Sequence, residues 1–426
     1  MGNVAAAAMA SSLLMPAALC LLLLAVPPRA SGRLLAAADQ AGGPEPGPAA
    51  TSPPPDTGGG SSGGGTTSNL WGKDGELWDP SGPLIDFSFA GYRQGAAPLP
   101  SPPATRNYIV LSLPAGKYML TAPLAITRSR VVLRGAGTGE NATVLSIPHS
   151  LTDLLGPNPG YPRTGGYVAN GAFVAITSNA TLGKRLGRVA GSARRGDDAV
   201  TVDDASGLLA GEFFDLWFTD TDGKFNALMY NNTLQPPDKY INDTRVKLST
   251  RILAVDGQRI TLERRLPYDI SPGINSAQFY ARQDTVHDSG VEGLVFSFAW
   301  SLYAGHHLEK GYNVVEFYNV FDCWARDIAS INADSTVVMT AATCVTVSGV
   351  RIEVTKSRAN DIPNSFNEPA NRDGHWGVHH GRSFDLLAEG VDVRCSLFHD
   401  VGTDASSKFG VFQNSVMVEG NLDLHR

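Results

Sequence analysis

Cysteine is almost missing from this chain. Four occur in 426 residues, and Cys20 lies in an apolar N-terminal stretch. Cys323, Cys344 and Cys395 remain, an odd number, so at most one disulfide forms and a disulfide-built fold is excluded. Their spacings match no zinc motif, and buried free thiols in a β core are expected. Charge is scarce as well, at 18% of residues and a net −7. That balance gives no electrostatic footing for nucleic acid. The one basic run, "GKRLGRVAGSARR" (183–195), is followed at once by Asp197 and Asp198 and reads as a solvated loop. Helical periodicity is lacking too. With 46 glycines and 27 prolines, the composition suits an all-β protein with many turns.

What is present begins with "SSLLMPAALCLLLLAVPPRASG". Its apolar stretch of about 14 residues has the length of a signal-peptide core and falls short of a membrane span. Residues 1–31 are therefore expected to be a signal peptide, with a signal anchor as the alternative. The mature chain is expected to be secreted, extracellular or in a cell wall, without stable membrane association, and monomeric. Sequons at Asn141, Asn179, Asn231 and Asn242 agree with a glycosylated secreted product.

Residues 32–69, with "GPEPGPAATSPPPDTGGGSSGGGTTS", read as a disordered Gly/Pro/Ser linker. Short β runs broken by Pro and Gly fill 70–160. Over 161–285 the alternation strengthens, in "DAVTVDDASGLLAGEFFDLWFTD" and "TRVKLSTRILAVDGQRITLERRL", and Asp256-Gly257 signals a hairpin. This stretch reads as an inserted β-rich subdomain. From 286 to 426 strand starts recur at Gly290-Val291, Asn319-Val320, Gly349-Val350 and Gly390-Val391, followed by Gly420, at intervals of 29, 30, 41 and 30 residues. A period near 30 predicts a parallel β solenoid. The long interval holds "DIPNSFNEPANRDGHWGVHHG", which reads as a coil with about 11 extra loop residues. The chain stops at "GNLDLHR" without a polar cap, so a longer parent with further coils is expected.

"LPAGKYMLTAPLAITRSRVVLRGAG" (113–137) resembles the opening coils of pectate-lyase-like right-handed parallel β-helix proteins. "YAGHHLEKGYN", "DCWARDI" and "FHDVGTDASSKFGVFQN" resemble secreted β-helix proteins found beside carbohydrate-active enzymes. The resemblance covers roughly 110–150 and 286–426. It implies the fold and a polysaccharide ligand. It does not choose among lyases, glycoside hydrolases and binding proteins.

Chemistry concentrates late in the chain. Eight of nine histidines lie from His287 onward. His306 and His307 precede the start at Asn319 much as His379 and His380 precede Gly390, so the two pairs are expected on one side of the solenoid, about 10 Å apart at about 4.8 Å per coil. Catalytic candidates are His379, His380, His399, Asp400, His306, His307, Glu309, Asp327 and Asp334. Arg382, Arg326, Trp376 and Trp324 are candidates for binding sugar. A lyase needs a base and a cation for the enolate-like charge, whereas a hydrolase needs two spaced carboxylates. A non-catalytic glycan-binding or matrix protein is the alternative. No cofactor is expected; the two alternatives are a divalent metal on the histidines and calcium on the carboxylates.

Overall fold

The computed structural model describes Leu24–Ala25 and residues 70–424, except 96–98, 101–106, 159–167, 169–170, 180–182, 230–244, 283–284, 364–366, 368 and 405–406. The linker over 32–69 lies outside these residues, as do Asn231 and Asn242 and nearly all of the stretch read as a signal peptide. No helix among the described residues is long and apolar enough to cross a membrane.

Two parallel sheets carry the fold, a right-handed parallel β-helix. The long-stranded sheet stacks His287–Phe298, Phe321–Ile331, Thr343–Glu353 and Leu387–Val393. Its inward columns are aliphatic: Val291 pairs with Ala325, Ala325 with Val347, and Val347 with Ala388. The second sheet stacks Val174–Thr177, Asn313–Tyr318, Ser335–Thr340, Gly374–Gly381, Leu397–Thr403 and Leu422–Leu424. Val174, Val315, Val337, Val378 and Val401 form one column there. β-Branched residues suit such columns because each packs on its neighbours above and below. Each fully buried aliphatic side chain contributes about 1.5–3 kcal/mol.

The coils share corners, not lengths. At one corner Arg130, Asp288, Asp322, Cys344, Asp385 and Phe409 all adopt positive φ, between 50° and 63°. At the next, Gly293, Asp327, Gly349, Gly390 and Asn414 do the same. Along this second ladder the steps are 34 residues to Asp327, 22 to Gly349, 41 to Gly390 and 24 to Asn414. The regular period near 30 expected from the sequence is therefore corrected. About 22 residues close a coil, and the surplus leaves it as two excursions, 299–312 and 354–373. "HWGVHHG", expected at the end of a loop, is the strand Gly374–Gly381.

The chain between Val174–Thr177 and His287–Phe298, strands of the continuous helix, forms a six-stranded antiparallel sheet in the order Arg185–Arg188, Asn275–Ala281, Phe213–Asp220, Arg245–Asp256, Arg259–Leu262, Ala199–Thr201. Asp256 pairs with Arg259 across the two-residue turn Gly257–Gln258, and Gly257 takes the positive φ such a turn requires. The sheet docks on the acids of the first corner. Buried Arg264 holds Asp385 through two bonds of 2.9 and 3.0 Å. Arg282 reaches Asp322 at 4.0 Å. The N-terminal segment adds Arg93, which meets Asp288 at 2.9 Å, and Tyr92, whose hydroxyl donates to the same carboxylate at 2.5 Å. Cys323, Cys344 and Cys395 are free and buried.

Candidate functional site

The excursion 299–312 presents His306 and His307 on a tight turn. Leu308 N–H closes it on the Gly305 carbonyl at 2.9 Å, and His307 takes φ 63° where such a turn favours glycine. The excursion 354–373 packs behind it. Arg358 donates to the Ser301 carbonyl at 3.0 Å, and Asn360 to that of Tyr303 at 2.8 Å. Beside the turn run Gly374–Gly381 and Leu397–Thr403, with Trp376 paired in register with His399.

These elements assemble a shelf of rings. His306 stacks on Phe398 at 4.7 Å and meets His375 edge-on at 4.7 Å. His307 lies 4.0 Å from His306, and His399 lies 5.4 Å from His306 and 5.2 Å from His375. His375 stacks on Trp376 at 4.0 Å, which stacks on His379 at 4.0 Å. His375 is buried, while the other rings are half-buried. Gly402 makes room, since a Cβ there would stand 2.7 Å from the His379 ring.

Behind the shelf, Glu309 is 2% exposed. Its carboxyl meets His375 Nδ1 at 2.9 Å and accepts from the Tyr303 hydroxyl. Burial pushes Glu309 up to about 8, Asp334 acts in the same direction, and the Tyr303 hydroxyl acts against it.

The remaining candidates fall elsewhere. His380 neighbours His379 but points the other way, as successive strand residues must. It is 3% exposed, stacks on Phe412 at 5.5 Å, and burial lowers it to about 4. Asp400 likewise turns inward from His399 and accepts the Asn421 N–H at 2.8 Å. Asp334 is paired with buried Arg358 at 2.8 Å and accepts from the Gly311 and Tyr312 amides. Asp327 sits at a corner of the long sheet, accepting from the Thr138 hydroxyl at 2.6 Å. Trp324 and Arg326 stand on that sheet's outer side. Trp324 is fully buried under Tyr92, 5.4 Å away, and Arg326 is bound to Glu292. Neither stands on the shelf. Arg382 lines a cavity of about 150 Å³ between subdomain and helix, with Trp217, Lys247 and Arg282. Asn141 and Asn179 are exposed. His375 was not among the candidates; its place at the head of "HWGVHHG" is the one signal the sequence offers.

Fold and site together define an all-β solenoid with an imidazole-rich aromatic shelf on one side. No family model matches the chain, and no curated protein matches it either. Among solved structures it is similar to the tailspike gp61 of Pseudomonas phage phi297 (12% identity, TM-score 0.41, covering 72% of this chain and 42% of that one). It is also similar to the tailspike gp49 from Pseudomonas phage LKA1 (11%, 0.40, 71% and 41%). A third is the Gp54 tailspike of Acinetobacter baumannii bacteriophage AP22 in complex with A. baumannii capsular saccharide (9%, 0.25, 74% and 71%). The chain thus spans about two fifths of the first two tailspikes. Likenesses at these scores say nothing of function; the fold rests on the strand pairing itself.

Proposed function

We propose that this is a secreted polysaccharide-active β-helix protein of pectate-lyase-like type that holds an extended glycan across the shelf and cleaves it by β-elimination at a uronate unit. One observation carries the reading. The rings on the shelf are imidazole, indole and phenyl, whereas the nearby carboxylates are turned inward or committed to partners. Hydrolysis needs two carboxyls flanking the bond, about 5–9.5 Å apart. Elimination needs one base and a partner for the enolate-like charge. Half-buried aromatic faces suit the apolar faces of sugar rings.

His399 is the base in this reading. The Asp423 carboxylate lies 3.6 Å from its Nε2 and would stabilise the imidazolium that forms. The imidazole takes the proton α to the uronate carboxyl. The electron pair forms the new C=C bond, and the C–O bond to the neighbouring sugar breaks as its oxygen takes up a proton from water, the imidazolium then returning its own proton to solvent. Arg372, whose guanidinium lies 5.9 Å from the Phe398 ring, faces the carboxylate. The apolar N-terminal stretch and the exposed Asn141 and Asn179 sequons support secretion and glycosylation.

A second reading is non-catalytic glycan binding. It is favoured by the tie of Arg372 to Glu419 at 3.7 Å, which holds that guanidinium away from a ligand. A polysaccharide panel separates the two. Ultraviolet-absorbing unsaturated ends together with new reducing ends establish elimination. Reducing ends without that absorbance establish hydrolysis and overturn the mechanism. Tight binding without either establishes the binding protein, and no binding to any acidic or neutral glycan overturns both readings.

A further inference from the structure

We propose that His306, His307 and His375 form a binding site for one divalent transition-metal ion of the zinc type. Among the described residues this is the one place where three ligand-bearing side chains converge, with a nitrogen of each within 4.8 Å of the others. A tetrahedral zinc with Zn–N bonds of about 2.0–2.1 Å needs donors about 3.3 Å apart. Closing the site therefore takes ring movements of about an ångström by His306 and His307, which lie outside the strands.

Two further observations point the same way. The first is behind His375. Metal-ligating histidines characteristically donate their second ring nitrogen to a carboxylate, which fixes the tautomer and aims the first. Glu309 meets His375 Nδ1 at 2.9 Å and is itself held by the Tyr303 hydroxyl, so Nε2 would be the nitrogen offered to the ion. This Tyr303–Glu309–His375 chain is built inside the protein, where polar groups are costly unless they are hydrogen-bonded to one another. The second is the turn. Positive φ at His307 is a strained choice for a non-glycine residue, and it sets two consecutive imidazoles beside the third.

The donor set selects the ion. Three neutral nitrogens suit zinc, copper, nickel or iron, whereas calcium demands oxygen. Three protein ligands leave a fourth position, and His375 adjoins Trp376 on the shelf. An ion there would take a uronate carboxylate as its fourth ligand and neutralise charge that a lyase must stabilise. That role rests on the glycan reading above; the ion site itself does not.

The test uses untagged, chelator-treated full-length chain, titrated with Zn²⁺ alone by calorimetry and with Co²⁺ by visible absorption. One ion per chain and a tetrahedral Co²⁺ spectrum are expected, with no competition from Ca²⁺. His307→Gln and His375→Gln should each weaken binding by more than about 100-fold, and Glu309→Gln by about 10–100-fold. Circular dichroism checks folding; if buried His375→Gln unfolds, half-exposed His307→Gln decides. Wild-type affinity in the His306→Gln/His307→Gln double variant, or no saturable uptake, overturns the site. Polysaccharide binding is measured in parallel, with and without Zn²⁺. Glycan bound without any metal uptake sinks the ion and spares the glycan reading; metal uptake without glycan does the reverse.

Discussion

Replacing His380 by leucine should remove one component of acid sensitivity while leaving the shelf intact. The ring lies between Met339 and Thr403 in register and stacks on Phe412. Neither of its nitrogens has a hydrogen-bond partner among the described residues. Burial holds it at about 4 against an ordinary 6.5, and the nearby Lys408 acts in the same direction. The folded chain thus carries fewer protons than the unfolded chain between those values. Lowering the pH through the window favours unfolding, starting near 6.5 and levelling off near 4. At about 1.4 kcal/mol per pH unit the full penalty is about 3 kcal/mol. Other groups also titrate. Glu309, raised to about 8, stabilises the fold as pH falls through that value, and Lys408, lowered to about 8, acts above it. The quantity to read is therefore the difference between wild type and His380→Leu in urea-denaturation free energy at several pH values from 4 to 7. That difference should swing by about 3 kcal/mol in favour of leucine on acidification. At neutral pH leucine should be no worse, since it relieves two buried unpaired nitrogens. Parallel pH profiles for the two proteins would refute the inward placement of the ring.

Arg264→Met should cost about 3–5 kcal/mol in chemical denaturation, because Asp385 stays buried without its bidentate partner; adding Asp385→Asn should recover much of this. Trp376→Ala should weaken polysaccharide binding by about tenfold with far-UV circular dichroism unchanged, equal to the loss of roughly 1.4 kcal/mol of stacking. Gly402→Ala should do the same through a different atom, as its methyl drives His379 off Trp376; unchanged glycan affinity there would show that His379 plays no part. His399→Gln should abolish formation of unsaturated ends while glycan binding persists, and residual turnover near wild type would remove His399 as the base.

The solenoid was legible because alternation, glycine and the absence of helical periodicity are properties of every coil. Its period was not. Gly290-Val291 pairs with Trp324-Ala325 on one stretch of the long sheet, while Gly349-Val350 and Gly390-Val391 stand at a corner shared with Gly293 and Asp327. Asn319-Val320 lies at yet another turn, before Phe321–Ile331, so the even spacing joins at least three different coil positions. The corner hides because its positive φ is met by Gly, Asp or Asn at one ladder and by Arg, Asp, Cys or Phe at the other, so no single residue type marks every coil. The site was half legible for a related reason. Reading "HWGVHHG" as loop let His379 and His380 face one groove. Once the segment is a strand, alternation forbids that. His375 escaped notice because its importance comes from Glu309, 66 positions earlier, which only the stacking of coils brings to it.

The corner ladders carry a consequence for how such a molecule can change. Every coil meets its neighbours through the same bends, whatever length of chain lies between them. The excursions 299–312 and 354–373 are thus side branches that leave and rejoin a common framework. Exchanging residues of either, with Tyr312, Arg358 and Asp373 kept because they pack into or cap the coils, would leave the stacked columns in place while changing the wall beside the strand-borne rings. In this architecture part of the recognition surface is editable apart from the scaffold, and a library that varies those two segments outside Tyr312, Arg358 and Asp373 would sample new ligands without re-solving the fold.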